Sequence, residues 1–492
     1  MTLATIDTPT VDWFALSPSL ALLVAAGLTL LGAVLVPRPA VRAYSVLVTA
    51  AGFVAAGVLA ALVFDRTPEQ VLLISEGMTR DRLAALSQVV LAGVGLVVTL
   101  VAVGDRRRDH VGEFYSLLAV AGAGMLFFVS AEGLMTLFLG LEWFSIALYI
   151  LCAMDTHRRG SLEAGLKYLI VGSFGSTILL FGCALTYGAT GELGFNAIRD
   201  ATGADDPLFA TGMAMILAGL AFKASAAPFH MWTPDVYQGA PTAVTAFMAA
   251  ATKAATVVVM LRVLTVAFPE QDEVWTIALA VLAIASLVVG NLAALAQADV
   301  KRMLAYSSVS HAGFLLMAIA ADSTAGAQAL LYYLVPYVAA TVGAFAVVAA
   351  RERELGRPVT LPALAGLGWE RPFHGFAMWV FVLSFAGFPL TGGFLGKLYV
   401  FSAVYEAGWW WLVVIGVVAT AVSLAYYLAI VRAMYMRPSR VTGSVALAGG
   451  SPPRDTALDA ALVVAIGVTI GSFFLVQPLV DLAADAVAAL PL

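Results

Sequence analysis

About fourteen stretches of roughly twenty apolar residues follow one another along this 492-residue chain, and that rhythm leaves few folds open. A helix needs about 20 such residues to cross the hydrocarbon of a bilayer, whereas a membrane β-strand needs only about 10. In lipid every backbone polar group must be satisfied within the protein, so stretches of this length must be helices. They fall at about 17–36, 43–64, 83–103, 113–131, 132–154, 163–187, 209–235, 241–267, 274–297, 303–321, 327–350, 374–405, 409–436 and 457–483. The fourth and fifth run together around Ser130–Gly133, the least distinct boundary. The expected fold is an all-α polytopic membrane protein with about 14 transmembrane helices. No loop exceeds about 25 residues, too few for a soluble domain. Composition agrees: charged residues make up 12% of the chain, where soluble domains carry about 25%.

The formal net charge of −5 says little, but the distribution of positive residues says more. Eighteen of the 26 Lys and Arg lie in loops that follow odd-numbered segments, among them Arg106–Arg108, Arg158, Arg159, Lys301, Arg302 and Arg351–Arg357. The opposite loops hold only Arg66, Arg80, Arg82 and Arg199. By the positive-inside rule the Arg-rich loops are cytoplasmic and both termini lie outside, in the periplasm of a cell inner (plasma) membrane. The N-terminus has neither a basic n-region nor a small-residue cleavage site, so no removable signal peptide is expected. Cys152 and Cys183 fall at membrane depth without metal-ligand spacing and read as inert apolar thiols. No CxxC, GxGxxG, P-loop or His-rich cluster occurs, so no cofactor or metal is expected in this chain, and no nucleic-acid partner.

Four charges remain that no loop can take. Glu142, Lys223, Lys253 and Lys397 each lie near the middle of an apolar stretch. A charge there costs about 2.5–3.5 kcal/mol even on lenient insertion scales, so it persists when paired, hydrated or useful. Together they suggest a path for protons or ions. Glu142 is read as half of a Glu–Lys pair, in which each charge favours the other, or as a structural staple. Lys253 stands among small residues that leave room for water. His311 follows the polar run Tyr-Ser-Ser-Val-Ser and is either a proton relay between lysines or a hydrogen-bonded core histidine. Arg262 is expected to snorkel to the interface from the end of its helix. Glu132 is expected to be a solvated acid at a helix end, and His230 and Asp235 to cap freed backbone.

Two of the segments carry breakers. In the seventh, Pro228 removes a backbone donor five residues after Lys223. In the twelfth, Pro389 is followed by Gly392 and Gly393, with Lys397 eight residues beyond the proline. Irregular backbone at membrane depth survives where it is buried in protein or faces a wet cavity, and paired interruptions point to an inverted-repeat transporter site. The expected organisation is residues 1–112 (helices 1–3), 113–267 (a first five-helix repeat, helices 4–8), 274–436 (a second, inverted repeat, helices 9–13) and 437–492 (a loop and helix 14). Lys223 should sit at the negative C-terminal end of its half-helix, which favours the ammonium. Lys397 should border water near the positive end of its own, which disfavours it.

At these residues the chain resembles a known family. Trp-Thr-Pro-Asp-Val-Tyr-Gln-Gly-Ala-Pro-Thr (Trp232–Thr242), followed by Lys253, is similar to the signature of the antiporter-like membrane subunits of respiratory complex I. Asp299–Ser308 and Gly387–Lys397 match as well, so the likeness spans roughly residues 110–440. The Tyr-Gln-Gly-Ala wording, a lysine in segment twelve and the short C-terminus resemble the subunit N branch, the counterpart of mitochondrial NADH dehydrogenase subunit 2.

The resemblance implies a proton-translocating module of NADH-quinone oxidoreductase. In such a module Glu142 and Lys223 form the pair, Lys253 and His311 carry the path onward, and Lys397 is the exit. It also implies that NADH, FMN, iron–sulfur clusters and quinone belong to partner subunits. The partners would be antiporter-like subunit M and small membrane subunits, all within the lipid bilayer. Two rivals share the fold and the lysines: an Mrp-type or stand-alone sodium/proton antiporter, and the membrane subunit of a related hydrogenase or dehydrogenase.

Overall fold

The computed structural model describes residues 11–74, 76–105, 110–201, 206–438 and 455–492. The chain opens with α1 (Trp13–Leu35) and α2 (Arg38–Arg66), then a short antiparallel hairpin, β1 (Val71–Leu73) and β2 (Met78–Arg80). Next come α3 (Arg82–Ala102), α4 (Val111–Phe128), α5 (Leu134–Cys152), α6 (Arg159–Thr190) and the short α7 (Phe195–Ala201). The seventh crossing is split into α8 (Pro207–Lys223) and α9 (Thr233–Gly239). The eighth is α10 (Thr242–Phe247) and α11 (Lys253–Ala267), joined by a π-helical turn at Met248–Thr252. Then follow α12 (Asp272–Leu295), α13 (Val300–Ala320), α14 (Thr324–Leu355) and the short α15 (Leu367–Glu370). The twelfth crossing is split into α16 (Pro372–Ala386) and α17 (Gly392–Glu406), and α18 (Trp410–Met436), α19 (Thr456–Phe474) and α20 (Val476–Val487) complete the fold.

Twelve of these helices are long and apolar enough to cross a membrane among the described residues, and α8 and α16 are shorter apolar helices. With the two broken crossings the fourteen stretches of sequence are accounted for. The loop expected at Arg106–Arg108, together with Arg440, Arg454 and the first ten residues, lies outside the described residues.

Local chemistry explains the ends. Asp81, Asp206 and Asp299 accept bonds from the first-turn amides of α3, α8 and α13, satisfying donors that a helix start leaves free. Gly191 and Gly356 close α6 and α14 in the left-handed conformation (φ 74° and 64°). Between crossings the contacts are those of a membrane bundle, with small residues at the closest approaches. A Cβ on Gly182 of α6 would stand 2.7 Å from the Ile216 amide nitrogen of α8, so only glycine lets these backbones meet.

Burial sorts the helices into an axis and a rim. The crossing Thr242–Ala267 is buried all round and Val300–Ala320 nearly so, whereas α1, α2, α18 and α19 bury only one stripe. The fourteenth segment departs from expectation. It is two helices, because Gln477, Asp481 and Asp485 form one polar edge at helical spacing while the opposite face packs on α3 and α14. Asp485 pairs with Arg82 at 3.4 Å.

Candidate functional site

Both breaks form where the breakers stand. After Lys223 the chain turns irregularly from 224 to 232, with Ser225 at φ 62° and the Ala227 amide donating to Ser286 Oγ at 2.9 Å. Between α16 and α17 the chain turns through Gly387 and Leu390, both at φ 71°. Each break frees carbonyls at the end of a half-helix; the first is buried from Ala224 to Ala227 and reaches the surface at Pro228 and Met231, and the second is exposed from Phe388 to Leu390.

The four interior charges are placed by these elements. Lys223 closes α8 and is 2% exposed; its Nζ donates to Ser145 Oγ at 2.7 Å and Tyr168 Oη at 3.1 Å, with the Phe144 ring 4.9 Å away. Glu142 lies one turn before Ser145 on α5, and its Oε1 is buried without a hydrogen-bond partner. The two are neighbours without a direct ion pair: hydroxyls hold the ammonium, and the carboxylate stands apart.

Lys253 follows the π turn, is 1% exposed, and donates to the Ser308 carbonyl of α13. His311, one turn further along α13, binds Tyr333 Oη through Nδ1 (2.7 Å) and Tyr427 Oη through Nε2 (3.2 Å). Tyr427 Oη in turn meets Ser307 Oγ at 2.5 Å. Another turn along, the Phe314 ring lies 4.5 Å from Lys397 Nζ. Helix α13 therefore carries Ser308, His311 and Phe314 as a stair with steps of about 4.5 Å, from one lysine to the other.

Lys397 differs from expectation in two ways. It is 3% exposed, so it does not border water. Its Nζ reaches back across the break to the Phe385 carbonyl (2.8 Å) and Thr420 Oγ1 (3.4 Å). Helical side chains lean toward the N-terminus, so Lys397 leaves the positive end of α17 and lies at the negative C-terminal end of α16. Lys223 and Lys397 thus each stand at the C-terminal end of a half-helix, but Lys223 has Glu142 nearby and hydroxyl partners, whereas Lys397 bonds a carbonyl and Thr420.

Three other expectations are corrected. Arg262 does not snorkel; it is fully buried, with Nη1 donating to Asp81 Oδ2 (2.6 Å) and Glu132 Oε2 (2.8 Å) and Nη2 to Asp81 Oδ1 (2.9 Å). Glu132 is likewise fully buried rather than solvated, because the α4–α5 corner folds under the hairpin, Glu132 N donating to the Gly77 carbonyl. Asp235 caps no helix with its side chain; it binds Arg302 of α13 and Lys167 of α6 (3.1 Å). His230 Nδ1 is buried without a partner, while the ring keeps a bond to the Pro228 backbone at the break.

Sequence reasoning missed Tyr168, Tyr333 and Tyr427, the hydroxyls that hold Lys223 and His311. It missed Asp81, and it counted Lys301, which is buried, as an ordinary loop cation. A tyrosine in an apolar stretch is too common to signal itself; only its neighbours in space give it meaning. Among the described residues no group of three His, Cys, Asp or Glu could hold a metal ion.

With this geometry in hand, comparison with known proteins decides the family. Residues 131–423 match the family described as NADH:quinone oxidoreductase/Mrp antiporter, TM. The chain belongs to this family. It is 38% identical to NADH-quinone oxidoreductase subunit N of Myxococcus xanthus, over 94% of this chain and 95% of that protein. It is 41% identical to the subunit of that name from Trichlorobacter lovleyi, over 76% of this chain and 80% of that one. A chain of respiratory complex I from Thermus thermophilus superposes with a TM-score of 0.79 at 36% identity, covering 95% of this chain and 99% of the other. The matched family segment contains Glu142, Lys223, Lys253, His311 and Lys397.

Proposed function

We propose that this chain is the proton-translocating subunit N of the membrane arm of an NADH-quinone oxidoreductase. The names of relatives at about 40% identity support this reading over the Mrp-type alternative. So does the likeness to a complex I chain over nearly the whole length. Electron transfer from NADH to quinone, with FMN and iron–sulfur clusters, belongs to partner subunits. This chain lies in the bilayer beside antiporter-like subunit M and small membrane subunits.

One observation carries the assignment of roles: two buried lysines, Lys253 and Lys397, contact a single helix at the Ser308 carbonyl and the Phe314 ring, with His311 between those two positions. A lysine amine can take and give up a proton, and histidine can pass one between its two nitrogens. Glu142 sets the charge near Lys223 without touching it, so a small movement of α5 or α8 changes how firmly Lys223 holds its proton. Protons then move from Lys223 to Lys253, along the His311 hydroxyl cluster, and leave at Lys397. Changing a proton affinity by two pKa units is worth about 2.7 kcal/mol. Moving one charge against the membrane potential costs about 2.3 kcal/mol per 100 mV. The two are comparable, so switching at Lys223 suffices to drive a step.

The matching order of elements supports inverted repeats at 113–267 and 274–436, with a broken crossing fourth in each. The Arg-rich loops support a cytoplasmic side facing them, with both termini outside the plasma membrane. The test is Lys253→Ala in the assembled complex. It should keep its subunits yet lose most proton pumping into vesicles, together with most coupled quinone reduction. Wild-type pumping would take Lys253 out of the path.

A further inference from the structure

A fourth buried lysine stands on the Arg-rich side, outside the path described above. Lys301 opens α13 and is 1% exposed. Its Nζ donates to the Ala240 carbonyl (2.7 Å), which ends α9, and to Thr242 Oγ1 (3.1 Å), which begins α10. Thr242 Oγ1 donates in turn to Glu352 Oε2 near the end of α14. Glu352 is the acid of this group, yet its Oε1 lies 3.9 Å from Lys301 Nζ, beyond hydrogen-bond reach, and is buried without a partner. A staple built for strength would bring the charges into contact at about 2.8 Å. Here a hydroxyl bonds both charged groups, and one carboxylate oxygen is left open.

The same two helices hold Lys253. Lys301 and Ser308 are seven residues apart on α13, so they share a face about 10.5 Å apart. Thr242 meets Lys301 at one level, and Lys253, on the same crossing as Thr242, meets Ser308 at the next. The Glu352 side chain is 13% exposed and lies at the Arg-rich end. The cluster thus stands at the Arg-rich end of α13, about 10.5 Å along the helix axis from the level where Ser308 holds Lys253. The other charges around Lys301 are Arg158, Asp299 and Asp105.

Resting on the reading of Lys253 as a proton carrier, we propose that Glu352, Thr242 and Lys301 form the proton-intake station for Lys253. Glu352, whose side chain is partly exposed at the Arg-rich end, takes a proton there and becomes neutral. Lys301, its counter-charge gone, gives a proton toward the neutral amine of Lys253 and becomes an amine itself. Glu352 then returns its proton to Lys301 through the Thr242 hydroxyl. One proton enters, one reaches Lys253, and the station is left as it began.

The test is Glu352→Gln in the assembled complex, with Lys253→Ala as reference. Glutamine keeps the shape and the bond from Thr242 but cannot take up a proton. Proton pumping and coupled turnover should fall about tenfold near pH 8, where protons are scarce, and less than about twofold near pH 6. Glu352→Asp, which keeps the acid, should recover most of the loss and carries the same test should glutamine prevent assembly. Equal losses at both pH values, failure of both variants to assemble, or wild-type pumping throughout would each overturn the station. If Lys253→Ala impairs pumping and Glu352→Gln does not, only the station falls. If neither does, the reading of Lys253 falls with it.

Discussion

Arg262 shows how a single residue can mean one thing in sequence and another in space. Nine residues beyond Lys253, near the end of an apolar stretch, it has the reach to snorkel. Its partners Asp81 and Glu132 lie 181 and 130 positions away, so nothing local announces them. Folding brings two carboxylates to one guanidinium with all three out of contact with solvent. Removing one partner from such a group strands buried charge, which costs about 3–5 kcal/mol, whereas a matched apolar replacement of all members is often neutral. Arg262→Met should therefore lower the thermal midpoint of the assembled complex, and the triple variant Arg262→Met, Asp81→Leu, Glu132→Leu should restore much of it. A single variant as stable as wild type would show that the triad pins nothing. The interior lysines were easier to read, because no harmless position exists for a charge in the middle of an apolar crossing. What sequence could not supply was their bonding: Ser145 and Tyr168 for Lys223, the Ser308 carbonyl for Lys253.

Among the elements, the broken crossings were legible and the π turn was not. Pro228, Pro389 and the Gly392–Gly393 pair act through the backbone itself, so they declare a break whatever surrounds them. The π turn at Met248–Thr252 is built from Met-Ala-Ala-Ala-Thr, a run that suits an ordinary helix. It exists because the surroundings favour it. Tyr337 Oη donates to the Ala249 carbonyl within the turn at 3.3 Å, and the turn delivers Lys253 toward α13. Such one-turn π bulges often mark functional sites. The twelfth crossing depends on close approach as much as on its breakers. A Cβ on Gly393 would stand 2.1 Å from the Ser384 carbonyl oxygen, whereas one on Gly467 of α19 would meet nothing within 4 Å. Gly393→Ala must therefore push α17 away from α16 and move Lys397 from the Phe385 carbonyl. The expected result is a lower thermal midpoint and impaired pumping for Gly393→Ala, with Gly467→Ala unchanged in both. Equal behaviour of the two variants would mean that the half-helices tolerate separation.

At the scale of the whole molecule the proposed direction of transport rests on which face meets the cytoplasm. Eighteen basic residues lie on one side and four on the other, and cytoplasmic loops of membrane proteins carry the excess of Lys and Arg. The structure adds what those residues do where they are described. Arg351 binds Glu354 (3.1 Å) and Glu370 (3.0 Å), and Arg371 binds Glu354 (3.0 Å). Arg353 reaches Asp455 at 2.8 Å, tying the end of α14 to the start of α19. The Arg-rich face is thus a laced surface across which the ends of several crossings are joined, and Glu352 sits within it. Orientation then follows from a single loop. A lone cysteine at Arg357, in an otherwise cysteine-free chain, should resist a membrane-impermeant maleimide added to intact cells and react once the membrane is opened. One at Asp12, on the opposite side, should react from outside. Labelling of position 357 in intact cells would invert the molecule, and with it the side from which Glu352 takes its proton.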